Sequence, residues 1–302
     1  MDRVCLLDGG TGRELLRIGA PFGQPEWSAR ALIQAPEFVS RVHEAFVRAG
    51  AEVITTNSYA VVPFHLGPAR FAAQGHALAA LSGRLARAVA DTAPSEVTVA
   101  ACLPPVCGSY RADRFDAAAA RPILATLISA LSPWADYWLA ETLSAQIEAE
   151  LIREMLGADP KPLWLSFTLA DGEGAGADPR LRSGERVAEA VATASRLKAA
   201  AVLFNCSRPE VMGAAVSEAV RVRSAQRGDS GTMRIGVYAN AFVPMEPLIE
   251  ANAGLSDLRG DVTAHAYLQW ARDWVARGAQ IVGGCCGVGP EHIAALRSLN
   301  AG

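Results

Sequence analysis

The stretch Pro36-Glu-Phe-Val-Ser-Arg-Val-His-Glu-Ala-Phe-Val-Arg-Ala-Gly-Ala-Glu-Val-Ile-Thr-Thr-Asn57 contains one complete structural unit. Phe38, Val42, Ala45 and Phe46 recur at helical spacing and predict an amphipathic helix with one apolar stripe. Gly50-Ala51 follows where a glycine C-cap would stop that helix. Glu52-Val-Ile-Thr-Thr56 is then a short β-branched run that predicts a strand, and it ends in polar residues.

The same unit recurs along the chain. Further strands are expected at Val4–Asp8, Val97–Cys102, Tyr137–Glu141, Pro162–Phe167, Ala200–Cys206, Arg234–Tyr238 and Gln280–Gly284. They are near-continuously apolar, as parallel strands covered on both faces should be. Helical patterns lie between them at His76–Ala90, Ser144–Leu156, Gly184–Ala199, Pro209–Ser224 and Thr263–Arg277, and Gly278-Ala279 repeats the glycine stop. Eight strand-helix units predict a (β/α)₈ TIM barrel occupying residues 1–302 as one domain, rather than an open Rossmann sheet. Gly9-Gly10-Thr11-Gly12 after the first strand lacks the dinucleotide-binding spacing and its acidic partner.

In such a barrel the chemistry sits on the loops after the strands. Asp8, Thr55, Thr56, Asn57, Glu141, Cys206, Asn240, Cys285 and Cys286 all end strands and are expected to converge there. The long connections Leu103–Asp116, Ala170–Ser183 and Ala241–Asp261 leave the same face, and the second, rich in Gly and Asp, suits a lid or rim.

Composition narrows the function. A net charge of −3 without a basic stripe argues against a nucleic-acid partner. The apolar stretch Pro122–Ala135 is too short to span a bilayer, and Asp8 and Arg13 interrupt any leader-like apolar core. Six cysteines in 302 residues are no disulfide framework, so a reduced, cytoplasmic protein is expected.

Three of those cysteines stand apart. Cys206 closes one apolar run, and Cys285-Cys286 close another inside Gly283-Gly-Cys-Cys-Gly287. Three thiols at strand ends suggest a zinc site with its fourth position open. Adjacent residues on a regular strand face opposite ways, so Gly283, Gly284 and Gly287 are expected to let both sulfurs turn to one ion. Two buried small side chains, or a disulfide between neighbours, are the alternatives. Cys5, Cys102 and Cys107 have no ligand spacing and read as incidental thiols. Asp8 and Glu141 could bind an amino group or cap the helices that follow. Trp27 and Tyr59, just beyond strand ends, could present ring faces to a cationic donor or simply pack their loops. His43, His65, His76, His265 and His292 end no strand and read as surface or packing residues.

Taken together, these segments resemble the homocysteine S-methyltransferase family. The resemblance runs from Leu7-Asp-Gly-Gly-Thr-Gly12 through Gly50–Asn57, Glu141-Thr142 and Asn205-Cys206 to Gly283–Gly287. It implies a zinc-bound barrel with Cys206, Cys285 and Cys286 as ligands. It implies that Asp8 and Glu141 hold the homocysteine amino group, that Gly9 and Thr55 line its pocket, and that Trp27 and Tyr59 lie near the methyl donor. Asn240 is added as a substrate residue from its place at a strand end. One departure is visible: Leu103-Pro-Pro-Val-Cys-Gly-Ser-Tyr110 replaces the Gly-Pro-Tyr-Gly form of the S-methylmethionine enzymes.

The implied reaction moves a methyl group from an onium donor to the homocysteine thiol, with S-methylmethionine expected ahead of betaine and S-adenosylmethionine. The partners are small molecules, and the oligomeric state is left open. A zinc-binding barrel without turnover is one rival. A Schiff-base aldolase is the other, but Lys161 and Lys198 are the only lysines and neither ends a strand.

Overall fold

The computed structural model describes residues 3–172, 178–225, 233–243 and 256–301. Parts of two expected rim connections, residues 173–177 and 244–255, lie outside the described residues.

Eight parallel strands form the sheet: β1 (Cys5–Leu6), β2 (Val53–Thr55), β3 (Thr98–Leu103), β4 (Tyr137–Leu143), β5 (Leu163–Phe167), β6 (Ala201–Asn205), β7 (Arg234–Tyr238) and β8 (Ile281–Val282). Their order is β1-β8-β7-β6-β5-β4-β3-β2. The remaining seam is bridged in parallel at Leu7–Val53, with Glu52 N donating to Leu6 O (2.8 Å) and Asp8 N to Val53 O (3.0 Å). The fold is therefore the expected (β/α)₈ barrel.

Side chains alternate along each strand and separate two apolar shells. Leu7, Val53, Ala100, Leu139, Trp164, Leu203, Tyr238 and Ile281 fill the barrel interior. Val99, Ala101, Trp138, Leu165, Phe167, Val202, Phe204 and Val237 face outward against the helices. Both shells are apolar and buried, so the interior is a packed core and the chemistry is expected at its ends.

The helices sharpen the sequence reading. The deciding stretch forms α3 (Glu37–Ala49), and Gly50 stops it in the left-handed region at φ 108°, as expected. The buried stripe, however, is Val39, Val42, His43, Phe46 and Ala49. It is rotated from the expected one, and Phe38 instead lies under the Arg41 guanidinium at 4.7 Å. His43 takes a core position with neither ring nitrogen hydrogen-bonded, and burial pushes its pKa down to about 4.

The helix expected from His76 begins earlier, as α5 (Pro68–Asp91), because Pro68 occupies its first turn and Gly67 breaks the chain before it. The apolar stretch at Pro122 belongs to α6 (Ala117–Leu131), whose N-terminus is capped by the Asp116 carboxylate. No helix among the described residues is long and apolar enough to cross a membrane. Short helices α1 (Thr11–Arg17), α2 (Ala29–Gln34), α4 (Pro63–Leu66) and α11 (Pro290–Leu296) have no counterpart in the sequence reading.

Candidate metal centre and substrate cavity

Cys206 follows β6, and Cys285 and Cys286 follow β8, so all three lie at the C-terminal ends of strands. Their sulfurs converge within 4.8 Å of one another. The Cys206–Cys286 and Cys285–Cys286 sulfur pairs are each 4.0 Å apart. All six cysteines of the chain are free, and the Cys285 and Cys286 sulfurs, 4.0 Å apart, are not joined. Tetrahedral zinc with bonds of about 2.3 Å spaces its sulfur ligands by about 3.8 Å. Two of the three spacings come close to that value, so the three residues could close on such an ion with small side-chain shifts.

Glycine's part in this differs from the expectation. Only Gly287 of the three adopts a left-handed conformation, at φ 84°. Gly284 is required for space: a Cβ there would meet Val288 Cγ1 at 2.1 Å. The turn that aims the first sulfur is made by Cys206 itself, at φ 53°. Sulfur hydrogen bonds from Cys285 and Cys286, aided by the Tyr110 hydroxyl, pull the Cys206 pKa well down.

Asp8 does not cap a helix. Its carboxylate accepts the Thr55 backbone N–H (2.7 Å) and the Thr55 hydroxyl (3.1 Å) across the β1–β2 seam. Burial pushes its pKa up to about 8. Glu141 is no cap either, since Glu148 does that work at α7 (Gln146–Leu156) by accepting Ser144 N and Ala145 N. A register shift in β4 between Ala140 and Leu143 accompanies Thr142 at φ 59°. Glu141 accepts the Tyr238 hydroxyl at 3.1 Å. Burial raises its pKa to about 7 against the lowering effect of hydrogen bonds from Cys102 and Tyr238.

These groups line one cavity with Gly9, Thr55, Trp27, Tyr59 and the three cysteines. Trp27 packs edge-on against Phe22, with ring centroids 5.7 Å apart. The Tyr59 hydroxyl shares a 2.7 Å hydrogen bond with Ser109. Asn240 is the exception. Its Oδ1 turns back to accept Phe242 N, and it is absent from the described residues lining the cavity. His65, read as packing, does line the cavity, but its Nδ1 contacts the Pro25 carbonyl and burial lowers its pKa.

Five further residues matter: four to which the sequence reading gave no role, and Cys102, which it read as an incidental thiol. Tyr110, at φ 64°, places its hydroxyl 2.9 Å from the Cys206 sulfur. The Arg182 guanidinium lies 4.5 Å over its ring and is itself held by Asp171 at 3.0 Å. Tyr238 and Cys102 support Glu141 from below. Asn205 ties the floor together, accepting Thr142 N (3.0 Å) and donating to the Thr142 hydroxyl (2.8 Å). Of the five described non-glycine residues with positive φ, four (Trp27, Tyr110, Thr142 and Cys206) line this cavity. Such strain persists where surrounding contacts enforce it, and it marks functional sites.

The sequence model of the homocysteine S-methyltransferase family matches residues 5–299. Homocysteine S-methyltransferase of Escherichia coli (strain K12) is 30% identical over 321 residues, covering 98% of this chain and 94% of the relative. Selenocysteine Se-methyltransferase of Brassica oleracea var. italica is 26% identical, covering 97% of this chain and 87% of the relative. The crystal structure of the homocysteine methyltransferase MmuM from Escherichia coli, metallated form, superposes with a TM-score of 0.75 at 29% identity, covering 99% of this chain and 96% of that one.

Proposed function

The chain belongs to the homocysteine S-methyltransferase family, and from that premise we propose that it is a zinc-dependent enzyme methylating homocysteine to methionine, with S-methylmethionine as its donor. The observation that carries this reading is the convergence of three free thiols at tetrahedral spacing beside two buried carboxylates. Cys206, Cys285 and Cys286 would hold the zinc. Bound there, zinc supplies the Lewis acidity that keeps an acceptor thiol deprotonated at neutral pH.

The chain's own residues do the rest. Asp8 and Glu141 hold the acceptor's ammonium and so fix which way its sulfur points. The new bond joins that sulfur to the donor's methyl carbon. The broken bond leaves its electron pair on the donor sulfur, which departs as a neutral thioether. No general acid is needed, which accords with a cavity whose one histidine among the described lining residues, His65, contacts a carbonyl and is biased towards neutrality. Holding two reactants in line is the main rate contribution left to the protein.

The aromatic lining supports a sulfonium over betaine. Tyr110 and Phe242 each already have a guanidinium over the ring, at 4.5 and 5.5 Å. Tyr238 lies at the cavity floor with its hydroxyl on Glu141, so Trp27 and Tyr59 are left for the donor's cationic head, fewer faces than a trimethylammonium cage calls for. Six free cysteines, three of them required reduced, support a reducing cytoplasmic setting.

The test is a donor panel on zinc-loaded protein with homocysteine. S-methylmethionine should give methionine faster than betaine or S-adenosylmethionine. Betaine turning over fastest would overturn the donor. Homocysteine binding without turnover of any onium donor would leave a binding barrel in place of an enzyme.

A further inference from the structure

Arg13 is the one arginine or lysine among the described residues lining the mouth cavity. It sits in the first turn of α1, immediately after Gly12, whose Cβ position lies 3.1 Å from the Trp27 indole nitrogen. Its guanidinium lies 5.5 Å over the Phe242 ring, and Nη2 donates to the Ser256 carbonyl. Nε is closed off from solvent and has no hydrogen-bond partner. A guanidinium offers five N–H donors in a rigid fork, and leaving one buried without an acceptor is costly. Such a group calls for an acceptor that is not part of the chain.

The other ionisable groups of the cavity identify that acceptor. Asp8, Glu141 and the three cysteines are all acids, and His65 keeps Nδ1 against the Pro25 carbonyl. On the reading given under Proposed function, both reactants are amino acids, each with an ammonium and a carboxylate. The two buried carboxylates suit an ammonium and repel a carboxylate. Only Arg13 offers the complementary charge, in the planar geometry that pairs with two carboxylate oxygens at once.

We propose that Arg13 is the carboxylate anchor of this site, binding the α-carboxylate of an amino-acid substrate through its guanidinium. The inference rests on the proposed reaction but concerns a residue to which that reaction assigns no role. Acceptor and donor share the chemistry, so the test has two arms.

Zinc-loaded wild type, Arg13→Met and Arg13→Lys are compared after zinc content and thermal unfolding confirm intact protein. In the acceptor arm, calorimetry measures binding of homocysteine and of 3-mercaptopropylamine, the same thiol without its carboxylate. In the donor arm, KM is measured for S-methylmethionine and for (3-aminopropyl)dimethylsulfonium, its decarboxylated counterpart. Arg13→Met should weaken the carboxylate-bearing molecule in one arm by roughly 10- to 150-fold, the range for losing a charged hydrogen bond. The decarboxylated counterpart should be unaffected, and Arg13→Lys should recover part of the loss. The arm that responds identifies which substrate is anchored. Equal weakening of a molecule and its decarboxylated counterpart, or no weakening in either arm, overturns the anchor and leaves Arg13 a strut of the rim. Wild-type protein that binds no homocysteine would instead bring down the proposed reaction, and the anchor with it.

Discussion

The barrel has a cavity at each end, and the larger is at the end where no chemistry is expected: about 590 Å³ at the N-terminal ends of the strands against about 140 Å³ at the mouth. Several charged and aromatic groups lining the lower cavity already have partners. Arg3 pairs with Glu52 at 2.7 Å, Arg234 donates to the Gln280 carbonyl at 2.9 Å, and Tyr137 stacks on Trp164 with centroids 4.8 Å apart. The mouth collects Asp8 and Glu141 with pKa values raised by burial, a Cys206 thiol drawn down, and four left-handed side chains. Volume therefore misidentifies the site, whereas desolvated acids and strained backbone find it. The raised carboxyl pKa values also have a stability consequence. Each acid keeps its proton longer in the folded chain, so folding stability falls as pH rises from the ordinary carboxylate range towards 7 or 8.

The largest contrast between the ends should appear in metal content. Cys206→Ser should drop zinc from about one per chain to near none by elemental analysis, because a serine hydroxyl does not replace a thiolate and two thiolates are too few to retain the ion. Cys5→Ser, in the lining of the lower cavity, should keep the metal. Stoichiometric zinc in the Cys206 variant, or its loss in the Cys5 variant, would break the assignment of chemistry to one end.

Stability should show the reverse. Trp164 is 3% exposed in the barrel interior at the lower end. Trp164→Ala should cost about 3–5 kcal/mol in denaturant unfolding while zinc stoichiometry at 25 °C is unchanged. Metal loss without destabilisation would mean that the two ends are coupled through the core.

Glu141→Gln sharpens the picture of the mouth. Homocysteine affinity should fall by about 1.5–3 kcal/mol with zinc retained, as expected for one charge-assisted hydrogen bond. Since burial raises the Glu141 pKa to about 7, wild-type affinity should tighten as pH rises from 6 to 8, when the carboxylate forms and the substrate is still an ammonium. The Gln variant should lose the lower part of that rise and keep only the part belonging to Asp8, near 8. Unchanged affinity and pH profile in Glu141→Gln would remove this residue from substrate binding.

How much of this was legible in the sequence follows from the range of each interaction. All eight strands and their polar tips could be read, because buried parallel strands are apolar runs and the tips break them. The short helices α1, α2, α4 and α11 span too few turns for a period to register. The rotation of the α3 stripe onto His43 depended on which neighbours it met, because a neutral histidine can take a core position that its polarity argues against. Cysteine identity marked the candidate metal site, but the contacts that position the cavity's side chains are distant in sequence: Tyr110 is 96 residues from Cys206, and Thr55 is 47 from Asp8. Asn240 and Glu141 both read as strand-tip residues in the sequence, yet Glu141 lies within β4 while Asn240 lies beyond β7, where a local hydrogen bond from Phe242 N turns its side chain away. Position at a strand tip predicts the neighbourhood of a side chain, and its direction is settled by contacts the sequence does not display.

The smallest expected effect isolates strain from function. Lys198 is the fifth left-handed non-glycine residue, at φ 55°, and it lies in the turn between α8 (Val187–Arg196) and β6, at the lower end. It is exposed and lines neither cavity. A left-handed conformation costs a side-chain-bearing residue about 1–2 kcal/mol, and glycine returns about 0.5–1 kcal/mol of that as chain entropy lost on folding. Lys198→Gly should therefore stabilise the protein by about 0.5–1 kcal/mol, a rise of about 1–3 °C in Tm. Zinc content and homocysteine affinity should not move. Trp27→Gly relieves the same conformation at the mouth, φ 53°, but removes a cavity wall, so any gain in Tm there should come with weaker donor binding. If Lys198→Gly fails to stabilise, that turn carries no strain for glycine to relieve. If it stabilises and also shifts homocysteine affinity, strain at the lower end is coupled to the mouth, and the division between the two ends fails.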